Sequence, residues 1–298
     1  MHLKRTTLIL GAGASQPYGF PLGADLKAKV LSMAMTQTVV KVLVERAGFP
    51  EKLIQEFIEI FRANTSGTID EFLERKSKYR DLGAHLIAHS MCSDEQSARH
   101  FQQYGWYSEL YRQLNLDSAE PDVCELSIVT FNYERSLEWY LNEVIRVECR
   151  DVHETVAHEK RNRIKVIHPH GSLGKYPEVP YPLESRDVNG LLEAAKRIRI
   201  VSDKLDASPE FQEAKATVAA ADRIIFLGFG FHERTFTTLL ENTDVKGKEV
   251  FCCCFRLDPE KFPMIRNRIH NPSFGDPNTE TADRYLRSVG LVPGVTPA

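Results

Sequence analysis

Leu8-Ile9-Leu10-Gly11-Ala12-Gly13-Ala14-Ser15, continuing through Gln16-Pro17-Tyr18 to Gly19-Phe20-Pro21, decides how the chain folds. Three apolar residues run straight into two glycines separated by one alanine. A buried parallel strand ends this way when the backbone after it must come close to a phosphate. Gly11 and Gly13 carry no Cβ, so they reach unusual dihedrals and let a pyrophosphate lie against bare N–H groups. A helix starting just beyond adds its partial positive charge. Glycine pairs after strands are common, so this loop alone is a weak dinucleotide signal. Motifs further along the chain decide its weight.

Apolar or β-branched runs recur at Thr6–Leu10, Leu126–Phe131, part of Val144–Val152, Ile164–His168, Ile224–Leu227 and Glu249–Phe255. Helix-period stretches separate most of them. Within Tyr133–Ile145, for example, Tyr133, Leu137, Tyr140, Leu141 and Val144 repeat at the spacing of one helical face. This alternation predicts an α/β fold, a Rossmann-like doubly wound and mostly parallel sheet. One interval breaks the pattern. More than a hundred residues separate the glycine loop from Leu126, whereas a βαβ unit takes about 30. The interval reads as helices over Asp25–Ala47, Glu51–Ala63, Ile69–His89 and Asp94–Leu114. Thr68-Ile69-Asp70-Glu71 has the spacing of a capping box. A single domain over 1–298 is predicted, with a helical insertion or subdomain at about 25–120. Its Rossmann-like core takes residues 1–24 and 121–270. The tail after Asn271, rich in Pro, Gly, Asn and Asp, is predicted to be partly loose, with a short helix within Thr279–Gly290.

With 42% hydrophobic and 27% charged residues in 298, and a formal net charge of −3, the composition is that of a soluble globule. Such mild acidity gives no basic footprint for nucleic acid. The basic clusters Arg161–Lys165 and Lys196–Arg199 read as solvated faces. No apolar run is long enough to span a bilayer and no signal-peptide pattern opens the chain, which predicts a cytoplasmic protein. None of the six cysteines forms a Cys-x-x-Cys pair. Cys252, Cys253 and Cys254 alternate between the faces of one strand, so they read as small apolar fillers and no metal is expected.

Three later strand ends carry polar groups. In Ile128-Val129-Thr130-Phe131-Asn132-Tyr133-Glu134, the polar residues at spacing two share a face while the chain stays extended. They either converge on a ribose at the strand's carboxyl end or cap the helix that follows. In Ile164–Leu173, His168 still lies within the strand and reads as structural. His170, immediately before Gly171 and Ser172, is placed for proton transfer at neutral pH. In Ile224-Ile225-Phe226-Leu227-Gly228-Phe229-Gly230-Phe231-His232, another strand ends in a glycine loop, and His232 reads as a cap or a ligand contact.

Taken in order, these pieces resemble the sirtuin-like (silent information regulator 2-like) family in its compact prokaryotic branch. Gly11–Ser15 with Gly19-Phe20-Pro21 is similar to the family's opening cofactor loop, and Thr130–Glu134 to its Thr-x-Asn-x-Asp motif. His170-Gly171-Ser172 is similar to its catalytic histidine motif and Gly228-Phe229-Gly230 to its later nucleotide loop. Ile69–Leu73 resembles a recurring helix start of that branch. The likeness spans Thr6 to about Glu233. The chain departs from the family's deacylases in lacking their zinc-binding Cys-x-x-Cys pairs, in following Pro21 with Leu22-Gly23-Ala24, and in placing Glu134 where Asp is usual. These departures point away from acyl-lysine chemistry and leave the cofactor chemistry in place.

The resemblance implies NAD+ as substrate. It implies catalytic roles for Asn132, which positions water, and His170, which acts on the ribose hydroxyls or that water. It implies NAD+ binding by Gly11, Ala12, Gly13, Ala14, Ser15, Pro21, Thr130, Glu134, Gly171, Ser172, Gly228, Gly230 and Phe231. The implied activity is NAD+ hydrolysis to nicotinamide and ADP-ribose, in an antiphage-defence effector that depletes NAD+. NAD-dependent deacylation or ADP-ribosyl transfer is the alternative enzyme reading; a non-catalytic NAD- or ADP-ribose-sensing subunit is the third. By the same analogy, control comes from a homo-oligomer built through the helical insertion or from a partner protein, a HerA-type ATPase ahead of a short prokaryotic Argonaute.

Overall fold

Leu8, Ile9 and Leu10 are almost wholly buried because β1 (Lys4–Leu10) is covered on both faces. The computed structural model describes residues 4–64, 67–98, 105–114, 124–148, 164–200 and 207–291. β1 pairs in parallel with β2 (Cys124–Thr130) on one side and β4 (Arg223–Leu227) on the other. β3 (Lys165–Ile167) adds beside β2; β5 (Glu249–Cys252) and then β6 (Ser273–Phe274) add beside β4. The order β3-β2-β1-β4-β5-β6, parallel throughout, is that of a Rossmann-like doubly wound sheet. Winding reverses between β1 and β4, so the loops leaving those strands diverge and open a crevice. Leu10 is in register with both Thr130 and Leu227, which brings Gly11, Phe131 and Gly228 out of the sheet at one level.

Alternate residues of the strands feed two cores. Leu8, Leu10, Ile128, Ile225 and Leu227 pack under the helices Trp106–Leu114, Ser136–Glu148 and Ala282–Val289. Ile9, Val129, Ile224, Phe226 and Cys252 pack under Pro209–Ala220, Glu233–Leu239 and Lys261–Arg268. Cys252, Cys253 and Cys254 are buried, with Cys253 in one core and the other two in the opposite one.

A separate core belongs to the helical layer. Gly23–Met35, Gln37–Glu45, Glu51–Ala63, Ile69–Arg75 and Arg80–Ser97 bury Val30, Leu43, Phe57, Phe61, Phe72 and Leu86 together. The predicted capping box forms: Thr68 Oγ1 accepts from the Glu71 N–H and Glu71 Oε2 from the Thr68 N–H. Several boundaries differ from the sequence expectation. Thr36 and Lys76 leave helical dihedrals, splitting runs whose periodicity reads as continuous. Trp106–Leu114 covers the sheet instead of joining the helical layer. The layer gains a second segment in its place, Val188–Arg197, whose Leu191 and Ala194 enter its core.

Val144–Glu148 is the end of a helix and not a strand. Cys149–Val152 lies outside the described residues, as do 99–104 and 115–120 of the predicted insertion, Arg161–Arg163, and the tail from 292. Within the tail expected to be partly loose, β6 and the helix Ala282–Val289 are ordered, the latter inside the predicted Thr279–Gly290 range. No helix among the described residues is long and apolar enough to cross a membrane.

Candidate active site at the carboxyl ends of the strands

The crevice between the β1 and β4 loops deepens into a cavity of about 370 Å³. Gly11, Ala12, Gly13, Ser15 and Pro21 line it after β1, Asn132 and Glu134 after β2, His170 after β3, and Gly228 and Gly230 after β4. The two glycine loops touch. The Gly11 N–H donates to the Leu227 carbonyl (3.1 Å) and the Gly13 N–H to the Gly228 carbonyl (2.9 Å). A Cβ on Gly11 would stand 2.7 Å from the Gly228 oxygen. Close packing of one loop on the other therefore demands these glycines. The expectation that Gly11 and Gly13 present bare N–H groups to a pyrophosphate is corrected, since both donors are engaged within the protein.

Asn132 is held by the opening loop. Its Nδ2 donates to the Gly11 carbonyl (3.1 Å) and to Ser15 Oγ (2.9 Å). Of the amide's two ends only the N–H can donate, so the Gly11 carbonyl fixes its orientation and places Oδ1 opposite these bonds. Ser15 Oγ donates in turn to Glu134 Oε1 (2.5 Å), and Glu134 Oε2 accepts from the Ser136 N–H (2.6 Å). Glu134 thus anchors both the Asn132–Ser15 pair and the start of the helix behind it. Burial pushes its carboxyl above the usual carboxylate range, against the Ser136 and Ser15 hydrogen bonds, which lower it.

His170 is buried, its ring edge-on to Phe131 (4.9 Å between centroids), and its carbonyl accepts from the Arg199 N–H (2.9 Å). His168 does not line the cavity. Its Nδ1 faces the Asn132 carbonyl (3.0 Å) and its Nε2 faces Glu138 Oε1 (2.6 Å).

Five residues expected to bind the ligand stand behind the cavity wall. The Ala14 carbonyl accepts from Trp106 Nε1 (2.6 Å), and Thr130 Oγ1 accepts from the Asn132 N–H (3.3 Å). Gly171, at φ +72°, turns where a Cβ would meet the Arg197 oxygen at 1.9 Å. Ser172 Oγ accepts from the Gly174 N–H (3.3 Å). Phe231 is fully buried among Phe226, Phe229 and Phe236. They sit in or next to the loops that carry the lining residues.

Sequence reasoning missed what the helical layer and the β5 exit contribute. Thr68, Asp70 and Met91 line the cavity from the helical side. Tyr133 Oη donates to Asp70 Oδ1 (2.6 Å), and burial, then the Asp70 charge, push its phenol far up. His232 Nδ1 lies 3.3 Å from Glu71 Oε1 and Arg234 pairs with Glu74, so the capped helix is tied to the β4 exit. His232 also lines the cavity. Beyond β5, Phe255 and Arg256 line the other end; Arg256 is the cavity's one Arg or Lys among the described residues. The signals were present as an acid in a capped first turn and a basic residue just past a strand. No group of His, Cys, Asp and Glu that could hold a metal ion is found among the described residues.

A family model described as SIR2-like domain matches residues 126–249. Over this span the chain is sirtuin-like. The sirtuin-like span takes in Asn132, His170 and Gly228; the opening loop and the first segment of the helical layer precede it. A SIR2-like domain points to an NAD-related function. Among curated proteins, none matches the chain.

Proposed function

We propose that the cavity hydrolyses the N-glycosidic bond between nicotinamide and ribose in NAD+. The observation that carries this is the meeting of Asn132 and His170, distant in sequence, in one cavity floored by the Gly11–Gly13 and Gly228 loops. The leaving group is a cationic pyridinium, so it departs as neutral nicotinamide with the bonding electrons and needs no protonation. The positive charge that develops on the ribose is met by the cavity's acidic groups, Asp70 and Glu134, and by the Asn132 amide oxygen. Oδ1 accepts a hydrogen bond from the attacking water, His170 takes the proton that water loses, and ADP-ribose results. The pyrophosphate lies over the two glycine loops, with the adenosine toward Phe255 and Arg256.

Nicotinamide release from NAD+ tests this. Asn132→Ala and His170→Ala are each expected to lower the rate by about 10²–10⁴-fold while the protein stays folded. Undiminished release in both variants would defeat the assignment. Product mass separates the alternatives: O-acyl-ADP-ribose from an acyl-peptide, or ADP-ribosylated protein, marks a transferase. Binding without turnover marks a sensor. From the resemblance alone, we attach to this activity NAD+ depletion in antiphage defence. A homo-oligomer, and regulation by a HerA-type ATPase or else a short Argonaute, belong to the same proposal. Running the same assay with and without such partners reads that control directly.

A further inference from the structure

We propose that Glu138 and His168 form a charged pair behind the cavity wall that positions Asn132 and gives the reaction an alkaline limit; this rests on the hydrolase reading. The side chain of Asn132 is fixed on one flank by Gly11 and Ser15. On the other flank its backbone carbonyl faces His168 Nδ1 at 3.0 Å, while Nε2 faces Glu138 Oε1 at 2.6 Å. A neutral imidazole has one N–H and can serve only one of these acceptors. The imidazolium serves both. When the proton leaves, either the Asn132 carbonyl or the Glu138 carboxylate is left against a ring lone pair at hydrogen-bond distance. His168 also accepts the Gly171 N–H through its own carbonyl (2.9 Å), closing the turn that carries His170. One residue outside the cavity lining thus adjoins both residues assigned to the chemistry, its ring at Asn132 and its backbone at the turn before His170.

The charged groups acting on the ring are Glu138, from the Ser136–Glu148 helix, and Glu134, from the connection before it. Burial lowers the His168 pKa, but Glu138, the Asn132 carbonyl and Glu134 outweigh it and hold the pKa above its usual value. The sign follows: the pair is intact below that raised pKa and is lost as pH rises through it. The kcat for nicotinamide release should therefore fall on the alkaline side, with the KM for NAD+ changing less.

The experiment is the pH profile of nicotinamide release by the wild-type protein, Glu138→Gln and His168→Gln, with ADP-ribose affinity and melting temperature recorded for each. Glu138→Gln keeps the shape and removes the charge, so its alkaline limb should move down by roughly 1–3 pH units. His168→Gln should remove the limb. A Glu138→Gln limb at the wild-type pH, or a loss of rate uniform across pH, overturns the proposal and leaves the hydrolase reading standing. No release by the wild-type protein at any pH, with and without the proposed partners, overturns both. Should Glu138→Gln fail to fold, NMR titration of wild-type His168 decides: a pKa matching the alkaline limb supports the proposal, and one elsewhere overturns it.

Discussion

Ser15 Oγ accepts from Asn132 and donates to Glu134, so Ser15→Ala breaks two buried hydrogen bonds and leaves the Glu134 Oε1 lone pair without its hydroxyl donor. The expected cost is about 1–3 kcal/mol in denaturant melts. The kcat for nicotinamide release should fall more than KM rises, because Asn132 loses its orientation while the glycine loops remain. Unchanged stability and kcat would mean the relay carries nothing. At this scale the sequence identified which residues gather but not how. Asn132 and His170 were recognisable as polar groups at strand ends. Ser15 and Glu134 read as ligand contacts, whereas in the structure Ser15 bonds both Asn132 and Glu134, and Glu134 bonds Ser15 and the Ser136 N–H. Partner choice across 119 positions depends on how the strands lie in the sheet, which local spacing does not encode.

Gly228 leaves β4 at φ +56°, and a Cβ there would lie 1.9 Å from the Ala14 nitrogen. Gly19 also has positive φ, +100°, but a Cβ on it meets nothing within 4 Å. Gly228→Ala should therefore lower the melting temperature well beyond Gly19→Ala, which adds only the backbone strain of roughly 1–2 kcal/mol. Equal losses in the two variants would show that the loop–loop contact is not tight. The buried parts of β1 and β4 were legible because Leu8–Leu10 and Ile224–Leu227 are continuous apolar runs ending at glycine. The breaks at Thr36 and Lys76 were not, since the apolar period continues across both. Nor was Val188–Arg197 assignable to the helical layer from its own residues. Its place there comes from Leu191 and Ala194 packing with residues about a hundred positions earlier.

The sheet and the helical layer meet over the cavity, and their junction is polar as well as apolar. Arg135 pairs with Glu95 at 2.7 Å with both side chains fully buried, and donates to the Val179 (2.9 Å) and Pro180 (3.0 Å) carbonyls. Together with the Tyr133–Asp70 bond, this locks the β2 exit, and with it Asn132, against the helical layer. Unpaired buried charge is costly, so removing either partner alone is far worse than exchanging the pair for apolar residues. The whole-molecule claim is that one ligand spans this junction from the β3 end to the β5 end. A crystal structure of the protein with ADP-ribose tests it most directly. The pyrophosphate should lie over Gly11–Gly13 and Gly228, the terminal ribose C1′ beside Asn132 Oδ1 and His170, and the adenosine near Arg256. ADP-ribose bound elsewhere, or reversed with its adenine against Asn132 and His170, would contradict it.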